Sequence, residues 1–279
     1  MTMGESTVLQ WNLDFPNGGS AKSQSTINSR KDVLSSLLSK YDPTLVALQE
    51  ADNMSIKEVL RKDYQFERSG DIITAYKSTK LYDPSELTKT NNMLLLEFKK
   101  IDDYERRLLV CNVHLRSRTY SQAGEREDIG TKVMREFKSY RSDDYSNEEI
   151  ILGDFNENPY VKVILKETGF FGRRNLFQVK DKAKRSTPPD RPLYNPTWHI
   201  FGKRSGAVGT YYNSGSAIEA PWYLFDQILL SPEIAVREDD SVQVVSEVQG
   251  HDLVGKPPRC KPDRSVGSDH LPVVTKLDL

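Results

Sequence analysis

Packed β-sheets with a few helices outside are the architecture this sequence predicts. Short apolar runs rich in Val, Ile and Leu recur from one end of the chain to the other. Helical periodicity appears in only three places. Three helices cannot cross over after every strand, which argues against a wholly parallel, doubly wound sheet. Sheets packed on each other fit better.

The strand candidates are Val8–Leu13, Leu45–Leu48, Ile72–Tyr76, Met93–Phe98, Leu108–Leu115, Glu149–Leu152, Phe225–Leu230 and Pro272–Leu277. Their length and their flanking turn residues mark them. The first helix is expected over Ile27–Lys40, with Val33, Leu34, Leu37 and Leu38 on one stripe. The second spans Gln122–Tyr140, where Ile129, Val133 and Phe137 recur every fourth residue. A short third helix fits Tyr160–Thr168, with Pro159 at its start. Phe177–Ala220 lacks strong periodicity and is rich in Pro, Gly, Ser, Tyr and basic residues. It reads as a long loop inserted at about 177–220 in a single domain covering 1–279, and such loops are often functional.

Charged residues make up 28% of the chain and apolar residues 37%, as in ordinary soluble proteins. The net charge of −1 supplies no whole-molecule field for nucleic acid or membrane, so any attraction to a polyanion must be local. Cys111 and Cys260 are too far apart to suggest a metal motif or a disulfide framework. Met1–Thr7 is polar, and no run approaches the ~20 apolar residues of a membrane span. A cytoplasmic protein is expected, with a processed secreted form as the second alternative.

Polar residues able to do chemistry sit at the strand ends. They are Asn12 and Asp14, Gln49 and Glu50, His114, Asp154 and Asn156, Asp226, and Asp269 with His270. Oxygen ligands without thiolates suit Mg²⁺ or Mn²⁺ better than zinc. Such an ion polarises a phosphoryl oxygen and acidifies bound water. A histidine beside it can donate a proton, and an aspartate can fix that histidine's tautomer. Each residue also has a plainer reading. Asp154 and Asn156 fit an Asx-turn, Glu50 a cap charge, Asp14 a solvated turn and Asp226 a partner for an arginine. His114 and His270 fit rings packed in a core.

Taken in order, these segments resemble the endonuclease/exonuclease/phosphatase superfamily, with its DNase I-like fold. The resemblance runs from Val8 to Val273. Gln10-Trp11-Asn12-Leu13-Asp14 is similar to that family's first strand, and Leu48-Gln49-Glu50 to its metal-binding glutamate strand. Asn112-Val113-His114-Leu115 resembles the strand with a phosphate-contacting histidine. Gly153-Asp154-Phe155-Asn156, Phe225-Asp226-Gln227-Ile228-Leu229 and Ser268-Asp269-His270-Leu271-Pro272-Val273 resemble its remaining signatures. The resemblance implies an α/β four-layer sandwich: two mixed, mostly antiparallel sheets face to face, with helices outside. It implies one or two Mg²⁺ or Mn²⁺ ions held by Asn12, Asp14, Glu50 and Asp269. It also implies a catalytic set of His114, Asp154, Asn156, Asp226 and His270.

Three substrate readings follow. The first is a nuclease cutting DNA or RNA phosphodiesters, favoured by basic clusters that flank the site in sequence. These are Arg173, Arg174, Lys180, Lys182, Lys184 and Arg185; Lys256, Arg259, Lys261 and Arg264; and Lys203 with Arg204. Arg173, Arg174, Tyr211 and Tyr212 are the candidate substrate contacts. The two tyrosines could stack on a base or sugar, or simply pack within the loop. The second reading is a phosphatase or phosphodiesterase for a smaller phosphoester. The third is an inactive binding protein on the same fold. His199 and His251 match no family segment and read as surface or structural, while Trp198 and Trp222 read as packing residues.

Overall fold

The computed structural model describes residues 5–15, 23–51, 56–100, 106–117, 122–141, 147–202, 207–215, 221–236, 241–256 and 260–279. Lys203, Arg204 and Arg259 lie outside these. The strands are β1 (Glu5–Phe15), β2 (Leu45–Ala51), β3 (Tyr64–Ser69), β4 (Ile72–Lys77), β5 (Leu81–Thr90) and β6 (Met93–Lys100). They continue with β7 (Arg107–His114), β8 (Asn147–Asp154), β9 (Gly172–Arg173), β10 (Leu193–Tyr194), β11 (Tyr211–Tyr212) and β12 (Trp222–Tyr223). The last are β13 (Asp226–Leu230), β14 (Val242–Val244), β15 (Glu247–Val248), β16 (His251–Asp252) and β17 (Val273–Asp278). The helices are α1 (Gln24–Tyr41), α2 (Ala123–Ser139), α3 (Lys162–Leu165) and α4 (Leu176–Ala183).

Among the described residues, a six-stranded sheet runs β14-β17-β1-β2-β4-β3, and a seven-stranded sheet runs β5-β6-β7-β8-β13-β10-β9. Most neighbours are antiparallel. The parallel pairs are β1–β2, β7–β8 and β9–β10. α1 makes the crossover between β1 and β2, and α2 makes the one between β7 and β8, as parallel neighbours require. Two short ribbons, β11–β12 and β15–β16, complete the described strands.

Three apolar clusters define four layers. The central one joins the facing sheets through Val8, Leu45 and Ala47 on one side and Leu94, Val110, Leu152 and Ile228 on the other. A second packs α1 (Val33, Leu34, Leu37) on Leu9, Trp11 and Leu13. A third packs α2 (Val133, Met134, Phe137) on Leu109, Cys111 and Ile151. Strand period decides the sides: on β1, Val8, Gln10 and Asn12 face the other sheet, while Leu9, Trp11 and Leu13 face α1. This is the expected four-layer α/β sandwich.

α1 begins earlier than its apolar stripe because Ser23 caps it, accepting a hydrogen bond from the Thr26 amide at 3.2 Å. It ends where Asp42 turns left-handed (φ 45°) ahead of Pro43. The 177–220 stretch holds regular structure. It carries most of α4, two 3₁₀ turns, the strand β10 added to the seven-stranded sheet, and β11. β10 and β11 are two residues each, too short to produce a periodic signal.

Gly153, with φ +136°, shows how tightly the site end of the sheet is built. A Cβ there would lie 2.0 Å from the Val113 carbonyl oxygen. Gly153→Ala is expected to cost about 3 kcal/mol or more. Gly124→Ala, in α2 with nothing near its Cβ position, is expected to be neutral or to stabilise by about 0.5 kcal/mol. Urea-unfolding midpoints of the two variants check this. Equal midpoints would contradict the close approach at Gly153.

Candidate active site

The strand register gathers the polar residues at one end of the sandwich. Asn12 pairs with Gln49 across β1–β2, His114 with Asp154 across β7–β8, and Asp226 with Asp154 across β13–β8. Because β1 and β2 run parallel, as do β7 and β8, Asn12, Glu50, His114 and Asp154 all leave their strands at the same end.

Asp154 sits at the centre. Its Oδ1 accepts a hydrogen bond from the Asn156 amide at 2.8 Å, so the Asx-turn does form. Its Oδ2 accepts from Asn12 Nδ2 (3.0 Å) and Asn156 Nδ2 (3.1 Å). Asn156 also donates to the Leu115 carbonyl (2.9 Å), with its backbone left-handed at φ 50°. Asn12 Nδ2 donates to Glu50 Oε1 as well (3.1 Å). Glu50 has φ 48°, a conformation that is uncommon for a residue other than Gly, Asn or Asp.

Two carboxylate–imidazole pairs converge on Asp154. His270 Nδ1 is bonded to Asp226 Oδ2 at 2.7 Å, and His114 Nδ1 to Asp71 Oδ2 at 2.7 Å. With both Nδ1 atoms engaged, both Nε2 atoms face the cleft. They lie 3.9 Å (His270) and 4.0 Å (His114) from Asp154 Oδ2, and His114 Nε2 is 3.7 Å from Glu50 Oε1. Burial would drain the charge from His114, but the Asp71 hydrogen bond and the negative charge of Asp154, Asp71 and Glu50 outweigh it, raising its pKa to about 9. The same opposition, with Asp226 and Asp154 prevailing, holds His270 well above its ordinary value. Burial raises the carboxyl groups of Glu50 and Asp154, with the histidine charges pulling the other way.

The floor of the cleft is a layer of buried amides. Gln10 Nε2 donates to Asp226 Oδ1 and Gln49 Oε1, both at 2.8 Å. Gln49 Nε2 donates to Asn112 Oδ1 (2.6 Å), and Asn112 Nδ2 donates to the Ile73 carbonyl (2.9 Å). His270 is fixed further by its carbonyl, which accepts from Trp11 Nε1 at 2.9 Å, and by the Tyr211 ring 4.8 Å away.

Not every expected site residue faces the cleft in the same way. Asp14 (φ 50°) is held by Arg30, whose Nη2 lies 3.2 Å from its Oδ2; Arg30 also donates to the Asp14 carbonyl (2.8 Å) and the Gly267 carbonyl (2.8 Å). Asp269 lines the cleft, with Arg264 donating to its carboxylate, and the charges of His270 and Arg264 lower its pKa against the effect of burial. Arg173 and Arg174 require a correction, since neither lines the cleft. The register sets Arg173 level with Tyr194, Leu230 and Ile150, towards the end of the sheet away from Asp154. Arg173 Nη1 donates to the Leu165 carbonyl (2.6 Å), and its guanidinium covers the Phe171 ring. Tyr211 lines the cleft and stacks on Phe225 at 5.3 Å, and Tyr212 packs edge-on against Trp222. Tyr194 and His199 Nε2 share a hydrogen bond of 2.9 Å.

Sequence reasoning missed Asp71 and Arg30, and of the amide floor it singled out only Gln49. Asp71 follows Ser69-Gly70 in a β3–β4 hairpin, where an aspartate looks like turn chemistry. Arg30 carried a usable signal: it falls three, four and seven residues before Val33, Leu34 and Leu37, on the apolar stripe of α1. An arginine buried on that stripe calls for a partner.

The donor set fits a hard divalent cation. It offers carboxylate oxygens and an asparagine, with no thiolate and with both histidines already bonded through Nδ1. The ligand atoms of Asp154, Asp226 and His270 lie within 4.8 Å of one another. His270 and Asp226 are hydrogen-bonded to each other, however.

No protein-family model and no curated sequence matches the chain, but solved structures do. An endonuclease/exonuclease/phosphatase family protein from Bacteroides thetaiotaomicron superposes with a TM-score of 0.63 at 17% identity, covering 98% of both chains. D. rerio TDP2 complexed with single-strand DNA product gives 0.62 at 16%, again over 98% of both chains. A mannosyl-6-phosphatase from B. thetaiotaomicron gives 0.62 at 16%, over 98% of this chain and 99% of that one. The chain has the fold of the endonuclease/exonuclease/phosphatase, DNase I-like superfamily.

Proposed function

We propose that this protein is a divalent-metal-dependent phosphoester hydrolase whose substrate is a nucleic-acid phosphodiester. One observation carries the reading: two imidazoles, each tied to a carboxylate through Nδ1, present Nε2 within 4.0 Å of the buried Asp154 beside Glu50. That arrangement suits a tetrahedral oxyanion flanked by donors and faced by a base.

Glu50, with Asn12 and Asp269, would hold Mg²⁺ or Mn²⁺, one or two ions. Such an ion neutralises phosphate charge and acidifies water. Asp14 fits an anchoring role through Arg30 better than a ligand role. Asp154, its carboxyl raised by burial, aligns the attacking water and takes its proton. Asn156, whose amide donors go to Asp154 and the Leu115 carbonyl, fixes the Asp154 carboxylate and would reach a phosphate only by giving up one of those bonds. His270 and His114, held cationic by Asp226 and Asp71, stabilise the five-coordinate phosphorus. The unpaired Cys111 and Cys260 support a reducing, cytoplasmic setting, and no helix among the described residues is long and apolar enough to cross a membrane.

The DNA-bound TDP2 structure supports a nucleic-acid substrate. The small size of the cleft, about 140 Å³, supports a second reading, a phosphatase for a compact phosphoester. A panel of DNA, RNA and small phosphoesters with Mg²⁺ or Mn²⁺ separates the two. Polymer cleavage is expected; phosphate release from small esters alone would select the second reading.

His270→Ala and Asp154→Ala are each expected to lower kcat by about 10³-fold with the fold intact. Near-normal turnover would remove that residue from the mechanism. Glu50→Gln is expected to weaken Mn²⁺ binding, measured by calorimetry, beyond the ~100-fold that losing an outer partner costs. Unchanged affinity would exclude Glu50 as a ligand.

In metal-free protein, His114 carries a pH signature. Its folded pKa is raised to about 9 from an unfolded value of about 6.5. Its stabilising contribution is therefore full below pH ~6.5 and is lost as pH rises through ~9. The stability difference between wild type and His114→Asn should shrink across that window in urea titrations. A difference that grows with pH would contradict the charged Asp71–His114 pair.

A further inference from the structure

Beside the catalytic cleft lies a larger cavity of about 420 Å³, and Tyr211 and Asp269 line both. One wall is aromatic: Tyr211 and Tyr212 of β11, the latter half-exposed and braced edge-on by Trp222 at 5.3 Å. The lining is also cationic. Residues 253–256 and 261–263 form a short ladder of two legs, with the Gly255 amide donating to the Lys261 carbonyl (2.9 Å) and the Asp263 amide to the Leu253 carbonyl (2.9 Å). Lys256 and Lys261 therefore rise from its two legs into the cavity lining.

The charges in this cavity do not cancel. Arg264 is paired with Asp269, and Asp263 Oδ1 accepts from the Ser265 amide (2.9 Å) and hydroxyl (2.6 Å). Lys256 and Lys261 are exposed and have no carboxylate partner among the described residues. The lining carries three cations, Lys256, Lys261 and Arg264, against two carboxylates, Asp263 and Asp269, and this net positive charge beside two tyrosines forms an anion-plus-ring site. A compact phosphomonoester seated at Asp154 would leave it unused.

We propose that this cavity is the subsite for the nucleotide next to the scissile phosphate, with its base against Tyr212 and its phosphate between Lys256 and Lys261. The inference rests on reading the neighbouring cleft as a phosphodiester-hydrolysing site. It narrows the substrate to a single strand. A cavity of this size takes one unpaired nucleotide, and a base can reach a tyrosine face only when it is unstacked from a duplex.

The test uses full-chain protein carrying His270→Ala, with Mg²⁺, and fluorescein-labelled tetrathymidylate followed by anisotropy over a salt series. Adding Lys256→Ala and Lys261→Ala together should weaken binding and flatten the plot of log affinity against log salt by about 0.7, the value for one lost single-strand phosphate contact. Tyr212→Ala should weaken binding about 10-fold. Tyr212→Phe, which keeps the ring, should stay within about twofold of the parent, since every base presents a π-face to it. An unchanged salt slope would overturn the subsite. So would equal binding by the Ala and Phe variants, or no oligonucleotide binding by the parent. If the slope and ring effects hold but wild type with Mg²⁺ or Mn²⁺ cleaves no oligonucleotide, the hydrolase reading fails and the subsite stands.

Discussion

Polar side chains on the facing surfaces of two packed sheets have no water to turn to, so each must find a partner across the gap. That constraint organises this molecule. Along the inner face of each central strand the chemistry changes step by step. On β1 it runs Val8, Gln10, Asn12; on β7, Leu108, Val110, Asn112, His114; on β8, Ile150, Leu152, Asp154. The apolar layer gives way to amides, and the amides to acids and imidazoles. The amide layer is what allows charge to sit on top of a hydrocarbon core. Gln10 shows the cost. Its Nε2 serves both Asp226 and Gln49, while its Oε1 has no partner among the described residues, a burden of about 1–3 kcal/mol.

The same constraint explains the tension at the strand ends. Asp14, Glu50 and Asn156 all take left-handed backbone conformations where their strands stop. These turns redirect side chains that the strand period alone would send elsewhere. A residue held this way costs about 1–3 kcal/mol and persists only where its surroundings over-determine it. Here the surroundings are specific: Arg30 grips the backbone of Asp14, Asn12 and His114 flank Glu50, and Asp154 receives the Asn156 amide. Strain, buried acids and two histidines held cationic all concentrate in one cleft. Perturbed acids and bases cluster in this way at functional sites, and structural ion-pair networks perturb them too.

Much of this was legible in the chain before any fold was known. The eight apolar runs are all strands, because central strands buried on both faces must be continuously apolar. β3 and β5 were not legible. Both lie at sheet edges, and Tyr64–Ser69 and Leu81–Thr90 are correspondingly polar. The catalytic candidates were legible because polar residues interrupt apolar runs at strand ends. Their partners were harder to see. Asp71 is an ordinary turn aspartate until His114 folds onto it, and Arg30, although its place on the apolar stripe of α1 marks it for burial, does not reveal Asp14 as its partner. The basic run at Arg173 and Arg174 misled, because nearness in sequence to the motifs is not nearness in space across two strands of sheet.

The central claim is that one water, aligned by Asp154 and opposed by two imidazolium groups, attacks phosphorus directly. The stereochemical course at phosphorus tests it most directly. A dinucleotide with a chiral phosphorothioate linkage would be hydrolysed in ¹⁸O-water and the product's configuration read. Inversion is the predicted result, the mark of a single in-line displacement. Retention would mean two displacements through a covalent enzyme intermediate and would contradict the account.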